Sequence, residues 1–146
     1  MADKFDTLKL DNQICFPLYA VSKEIIRKYK PFLEELDLTY TQYITMMVMW
    51  EEKSICVKDL GRRLFLDSGT LTPVLKTLEK KGYITRTRSK EDERVLDVKI
   101  TDEGMDIRNK AVEIPAQISG CVSLEPNEAV QLYSILHKLM GQFTEE

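Results

Sequence analysis

The sequence predicts a mainly α-helical fold that carries one small β-hairpin. Three observations lead there. Apolar residues recur at the helical period through both ends of the chain. Helix-start signals punctuate it at Thr39, Asp67, Thr101 and Pro126. Two short β-rich runs, Tyr83 to Thr87 and Val95 to Ile100, occur only in the middle, on either side of a polar loop from Arg88 to Arg94.

Taken in order, Asp11 or Asn12 is placed to cap a first helix in which Cys15, Leu18, Ser22, Ile25 and Tyr29 share one face. Pro31 is expected to kink or end it. Thr39 with Gln42 reads as a capping box opening a helix from Thr41 to about Glu51, apolar enough to be central core. Val57 to Leu64 is a short helix with Val57, Leu60 and Leu64 on one side. Asp67-Ser68 opens the next, where Leu71, Val74, Leu75 and Leu78 follow the i, i+3, i+4, i+7 rule and Gly82 supplies a left-handed end.

Pro73 leaves the start of that helix open. A start at Ser68 puts the proline inside, at a cost of roughly 3 kcal/mol. A start at Thr72 makes it a favoured first-turn residue but shortens the exposed face. After the hairpin, Thr101 caps a helix running from Asp102 to about Ser119, bent at Pro115. A last helix starts near Pro126 with a stripe of Ala129, Leu132, Leu136, Leu139 or Met140, and Phe143.

At 146 residues, 43% hydrophobic and 31% charged, the chain is sized for one domain with a real core or two small packed units. Its longest apolar run, Ile44 to Trp50, is too short to cross a bilayer, and the first residues have no apolar segment or cleavage site, so a cytoplasmic protein is expected. The net charge of −3 argues at first against a polyanionic partner. Its distribution says otherwise: Ser54 to Met105 holds eleven Lys/Arg against nine Asp/Glu, the remainder ten against fifteen.

Cys15, Cys56 and Cys121 are widely spaced and the one histidine is His137, so no metal site and no cofactor are expected. An odd cysteine count argues against a structural disulfide framework. Either all three are inert thiols or at least one reports redox state.

A short helix, a turn, a second helix and a hairpin with a charged tip is the order of a winged helix-turn-helix. With its leucines inward, the second helix turns Ser68, Thr70, Thr72 and Lys76 outward. Small hydroxyls and one cation suit close approach to a major groove. They also suit an ordinary solvated face. The hairpin brings Arg86, Arg88, Lys90 and Arg94, from which an arginine can enter an adjacent minor groove.

The run Arg86-(x)5-Asp92-x-Arg94-(x)5-Ile100-Thr101-x-x-Gly104 resembles the wing signature of the multiple-antibiotic-resistance regulator (MarR) family, with Asp92 supporting the wing. Leu66 to Pro73 resembles that family's recognition helix. Gln13-Ile14-Cys15-Phe16-Pro17-Leu18-Tyr19 resembles the cysteine-bearing first helix of its organic hydroperoxide resistance repressors. Matching segments extend from about Asp11 to Phe143; Ile100 stands where leucine is usual, and Cys56 takes a cap position where a hydroxyl is expected.

The resemblance implies a homodimer that binds near-palindromic double-stranded operator DNA. Residues 1–53 would hold dimerisation helices, the sensor cysteine and core, residues 54–105 the winged DNA-binding region, and residues 106–146 further dimerisation helices. Cys15 would be the redox sensor.

Most helix-face cysteines are small core hydrophobes. Cys15, however, lies in a first helical turn, where free amides and the helix dipole favour a thiolate. Cys15 and Tyr29 share a face but stand about 21 Å apart at 1.5 Å per residue. Two such helices packed antiparallel across a two-fold axis bring one chain's Tyr29 to the other's Cys15. Tyr29 as amphipathic core filler is the other reading. The resemblance implies that Tyr29 and Tyr40 hydrogen-bond the thiolate across the interface.

Thiolate attack on an organic hydroperoxide would give a sulfenic acid. Phe16 and Tyr19 are candidates for the peroxide pocket, though core packing explains them equally well. By position, the resemblance makes Cys121 the candidate resolving thiol; in the family's single-cysteine subclass a low-molecular-weight thiol caps the sulfenic acid instead. Cys56 is read as structural.

The alternatives are a repressor of the same fold released by phenolic or drug-like ligands, a redox enzyme, and a helical interaction module. The absence of CxxC, a catalytic histidine and an arginine-flanked peroxidatic cysteine argues against the enzyme.

Overall fold

The computed structural model describes residues 2–144. Helix α1 (Cys15–Glu34) leads into α2 (Tyr40–Glu52), strand β1 (Ser54–Cys56), and the helix pair α3 (Val57–Leu64) and α4 (Ser68–Lys80). Strands β2 (Ile84–Arg88) and β3 (Leu96–Ile100) form the wing. Then come α5 (Asp102–Asp106), α6 (Arg108–Ala111), α7 (Ile114–Ser119) and α8 (Pro126–Gln142). The fold is mainly helical with a small antiparallel sheet of order β1-β3-β2.

One expectation at the first helix is corrected, and one of the two alternatives at Pro31 is excluded. Neither Asp11 nor Asn12 caps α1. Both lie in a preceding 3-10 turn, Asn12 donates instead to the Asp6 carbonyl at 2.8 Å, and Ile14 takes the cap position with no side-chain bond. Nor does Pro31 end the helix, which continues to Glu34. A proline removes one backbone bond, and Leu33, only 2% exposed, anchors the final turn in the core.

The capping box forms as expected: Thr39 Oγ1 accepts from Gln42 N at 3.3 Å, and Gln42 Oε1 accepts from Thr39 N at 3.1 Å. It opens α2 at Tyr40, and Met46 and Met49 are fully buried in the centre of the molecule. The α4 stripe also packs inward. Leu71, Leu75 and Leu78 are at most 1% exposed, and burying a leucine side chain stabilises by about 1.5–3 kcal/mol.

Gly82, at φ +84°, closes α4. Its amide donates to Glu79 O and that of Tyr83 to Leu78 O, both at 3.0 Å, which turns the chain directly into β2. Ile84 and Val98 seat the wing on the same core.

Strand β1 was not expected. At three residues it is too short to show alternation, and it joins the sheet because Ile55 falls opposite Val98. The helix expected from Asp102 to Ser119 is three short helices. The backbone stays in the right-handed region at Ile107, Val112 and Glu113, but Pro115 has no N–H to offer the preceding turn.

Gly104 closes the base of the wing. Its carbonyl accepts from Trp50 Nε1 at 2.8 Å and its amide donates to the cap Thr101 Oγ1 at 3.0 Å. A Cβ here would lie 2.8 Å from Ile100 Cγ1 and closer still to the Tyr83 carbonyl. Gly104→Ala should therefore destabilise the protein by about 1–3 kcal/mol, read from a denaturant midpoint; an unchanged midpoint would contradict this packing.

Candidate functional site

The first candidate surface is built by α4 and the wing. Asp67 Oδ1 accepts from Thr70 N at 2.7 Å, which fixes the helix start at Ser68 and leaves Pro73 inside the helix. Ser68, Thr70 and Lys76 are exposed. Thr72, expected outward with them, is half-buried at the flank of the leucine stripe.

In the wing, Arg88, Lys90 and Arg94 are exposed. Asp92 holds Arg94 from both sides of its carboxylate. Oδ1 accepts from Arg94 N at 3.0 Å and Nε at 3.1 Å, and Oδ2 accepts from Nη2 at 3.3 Å. These bonds pull the Asp92 carboxyl below its ordinary range. The support costs Arg94 little reach, because its side chain stays 91% exposed.

Arg86, expected among the wing cations, is placed differently. It sits in the middle of β2, its side chain is 19% exposed, and Nη2 donates to Glu79 Oε1 on α4 at 3.1 Å. Its guanidinium faces the helix, not the tip.

The second candidate surface is divided between the ends of α1. Cys15 is the first residue of the helix and is exposed, with no side chain capping that terminus and no acid in the first turn. Phe16 and Tyr19 beside it are 41% and 61% exposed, so packing within the chain does not account for them.

At the far end Tyr29 meets Tyr40, ring centroids 5.0 Å apart, and both meet Tyr43, at 5.8 and 6.3 Å. None of the three phenol hydroxyls has a hydrogen-bond partner among the described residues. Burial raises all three above the ordinary tyrosine range, with mutual repulsion of the phenolates adding to Tyr29 and Tyr43. At neutral pH they are protonated donors, and none is a buried atom left without a partner, so their oxygens face solvent. Tyr43 was missed from sequence; its signal is the i, i+3 spacing from Tyr40 on a capped helix.

Within one chain the tyrosines thus meet one another and not Cys15, which lies about 21 Å along a continuous helix from Tyr29. Cys121 is exposed just past α7, and Cys56 is half-buried at the end of β1 opposite Asp97. Among the described residues no His, Cys, Asp or Glu cluster is arranged to hold a metal ion, and no helix is long and apolar enough to cross a membrane.

Residues 27–111 match the family model for the transcriptional regulator SarA/Rot. The chain is 46% identical over 140 residues to the organic hydroperoxide resistance transcriptional regulator of Bacillus subtilis (strain 168), covering 96% of this chain and 95% of that protein. The chain belongs to the MarR/SarA family of transcriptional regulators.

Another MarR/SarA relative is the regulator SarZ of Staphylococcus saprophyticus, 46% identical over 142 residues, with 97% and 96% of the two chains covered. AbfR, a Staphylococcus epidermidis protein, has been solved in its reduced form bound to DNA. That structure matches with a TM-score of 0.78 at 34% identity, covering 98% of this chain and 100% of that one. The disulfide-formed AbfR matches less closely, at 0.64 with 34% identity and coverage of 94% and 96%.

The family accounts for the order of α3, α4 and wing, which lie inside the matched segment with Tyr29 and Tyr40. Cys15 and Cys121 fall outside it but within the near-complete alignments to the B. subtilis and S. saprophyticus regulators.

The tyrosine cluster has a direct test. Because burial raises their folded values, Tyr29, Tyr40 and Tyr43 ionise late, and unfolding is favoured as pH rises past the ordinary tyrosine range, about 10. An absorbance titration should show a delayed phenolate fraction that disappears in the Tyr29→Phe/Tyr40→Phe/Tyr43→Phe variant. A delayed fraction that persists among the three tyrosines left in that variant would contradict the cluster.

Proposed function

We propose that the protein is a homodimeric repressor that holds a near-palindromic operator while Cys15 is reduced and releases it when an organic hydroperoxide oxidises that thiol. One observation carries the reading: an exposed thiol at one end of α1 and unpartnered phenol donors at the other, too far apart to meet within one chain. Antiparallel packing of two α1 helices joins each Cys15 to Tyr29 and Tyr40 of the second copy.

The surface supports such a dimer. Helix α8 has no buried residue, and Val130, Leu132 and Tyr133 on it and Phe143 just past it are exposed, as are Ile14, Leu18 and Val21 at the start of the chain and along α1. Apolar area of this extent marks an association surface. Residues 1–53 and 106–146 then supply the dimer layer and residues 54–105 the DNA reader, working in the cytoplasm.

On the DNA, Ser68, Thr70 and Lys76 of α4 face the major groove, with Thr72 at its margin. Arg88, Lys90 and the Asp92-braced Arg94 reach toward the minor groove. AbfR bound to DNA, at 34% identity, supports this placement of the reader.

In the sensor, the Cys15 thiolate attacks the distal peroxide oxygen. The S–O bond forms as the O–O bond breaks, sulfur is oxidised to sulfenic acid, and the alkoxide leaves as an alcohol after taking a proton. Phe16 and Tyr19 line the approach and favour an organic peroxide. Reversing a 99:1 preference takes about 5.5 kcal/mol, whereas one hydrogen bond to a charged group contributes roughly 1.5–3 kcal/mol. Losing the tyrosine bonds at both sites, or a second covalent step, is therefore needed.

Exposed Cys121 supports that step: its thiolate attacks the sulfenic sulfur of the second copy, water leaves and an interchain disulfide forms. A low-molecular-weight thiol performs the same displacement if Cys121 does not.

The test uses a DNA duplex selected from a random pool by the reduced protein. Cys15→Ser should bind it normally yet stay bound in cumene hydroperoxide; release like the wild type would refute the sensor assignment. Cys121→Ser should abolish the peroxide-induced covalent dimer on a non-reducing gel, and a dimer that persists would show that another thiol resolves Cys15.

A further inference from the structure

Glu79 and Arg86 join the two parts of the DNA reader. Glu79 lies in the last turn of α4, and Arg86 is the central residue of β2, an edge strand of the sheet. The outward N–H groups of an edge strand have no strand partner. The one on Arg86 donates to Glu79 Oε2 at 2.9 Å while the guanidinium Nη2 donates to Oε1 at 3.1 Å. A single carboxylate thus grips both the backbone and the side chain of one wing residue, and these bonds lower the Glu79 carboxyl from its ordinary value.

Arg86 Nε is buried and has no partner, so the guanidinium is committed to the helix at some cost. Buried or half-buried ion pairs bring little net stability. Here the bonds bring geometry.

The wing is anchored in the core at Ile84 of β2 and at Val98 of β3, which pairs with Arg86, and no residue between Arg86 and Val98 is buried. From Arg86 to Lys90 the wing reaches about 13 Å at 3.3 Å per residue. A rotation of about 10° at Arg86 therefore moves the tip by roughly 2 Å, enough to break a hydrogen bond. The turn Lys81-Gly82-Tyr83 leads into that lever. The Glu79 carboxylate holds its base.

We propose that Glu79 and Arg86 are positioning residues: their paired hydrogen bonds set the angle between α4 and the wing, and operator affinity depends on the pair and not on the charge of Arg86. The proposal rests on α4 and the wing both touching DNA; it is independent of the thiol chemistry. It opposes simple electrostatics. A carboxylate beside phosphates repels them, so by charge alone its removal strengthens binding. As a positioning group, its removal weakens binding.

Glu79→Ala, Arg86→Ala and the double variant of the full chain, titrated with the selected duplex at several salt concentrations, separate the two. Each single variant should bind at least about tenfold more weakly, and the double variant no more weakly than the singles, as for residues acting as a unit. The slope of log affinity against log salt should fall by the same amount in all three, because the wing's cationic contacts are lost whichever partner is removed. A hydroxyl-radical footprint should lose the wing's protection and keep that of α4.

Glu79→Ala binding as tightly as wild type or tighter, additive effects in the double variant, or a slope reduced by about one in Arg86→Ala and unchanged in Glu79→Ala would each overturn the proposal. Should Glu79→Ala fail to fold, Glu79→Gln carries the same test: weaker binding supports the pair, equal or tighter binding overturns it.

Discussion

The organising constraint is the length of one unbroken helix. Helix α1 starts at Cys15 and continues past Tyr29, through Pro31, to Glu34. Its rigidity separates the thiol from the phenols by about 21 Å, and packing of Tyr29 on Tyr40 and Tyr43 keeps the phenols where they are. On the proposed function, the thiol and the phenols on opposite ends of one rod form a site only when a second rod runs the other way. Under that geometry sensing and dimerisation are a single property, and each dimer carries two symmetry-related sites.

The same rod is tied into the DNA reader. Leu33, Leu36 and Leu38, at and just beyond the end of α1, share one core with Met46 and Met49 of α2 and with Leu71, Leu75 and Leu78 of α4. Lys81, at the end of α4, donates to the carbonyl of Asp37 in the turn between α1 and α2 and pairs with its carboxylate at 3.3 Å. Tyr43 stands 6.3 Å from Trp50, whose indole holds Gly104 at the wing base. Close-packed contacts of this kind transmit a shift of α1 instead of absorbing it. On the proposed function, this core is the connection between sensor and reader.

The sequence showed most of this layout because the informative signals were local. The capping box at Thr39, the leucine stripe of α4 and the left-handed Gly82 each state a backbone requirement within a few residues. What it concealed depends on partners distant along the chain. β1 exists only through its pairing with β3, and the short segments α5 to α7 read as one helix because their apolar period continues across the breaks. Arg86 is indistinguishable in sequence from its neighbours Arg88 and Arg94; only the approach of Glu79 takes it out of the cationic set. The cap of α1 was misread because the residues before it bond among themselves. The face that Tyr29 shares with Cys15 was legible in sequence, whereas its packing on Tyr43 required the approach of α1 to α2.

A mixed dimer distinguishes a site shared between copies from one closed within a chain. One subunit carries Cys15→Ser and the other carries Tyr29→Phe with Tyr40→Phe, and the rate of sulfenic acid formation is followed by intact mass. If thiol and phenols come from different copies, the remaining Cys15 faces two native tyrosines, and one thiol per dimer should oxidise at the wild-type rate. Oxidation as slow as in the dimer of two Tyr29→Phe/Tyr40→Phe subunits would mean that each Cys15 depends on its own chain, and the head-to-tail arrangement would be wrong.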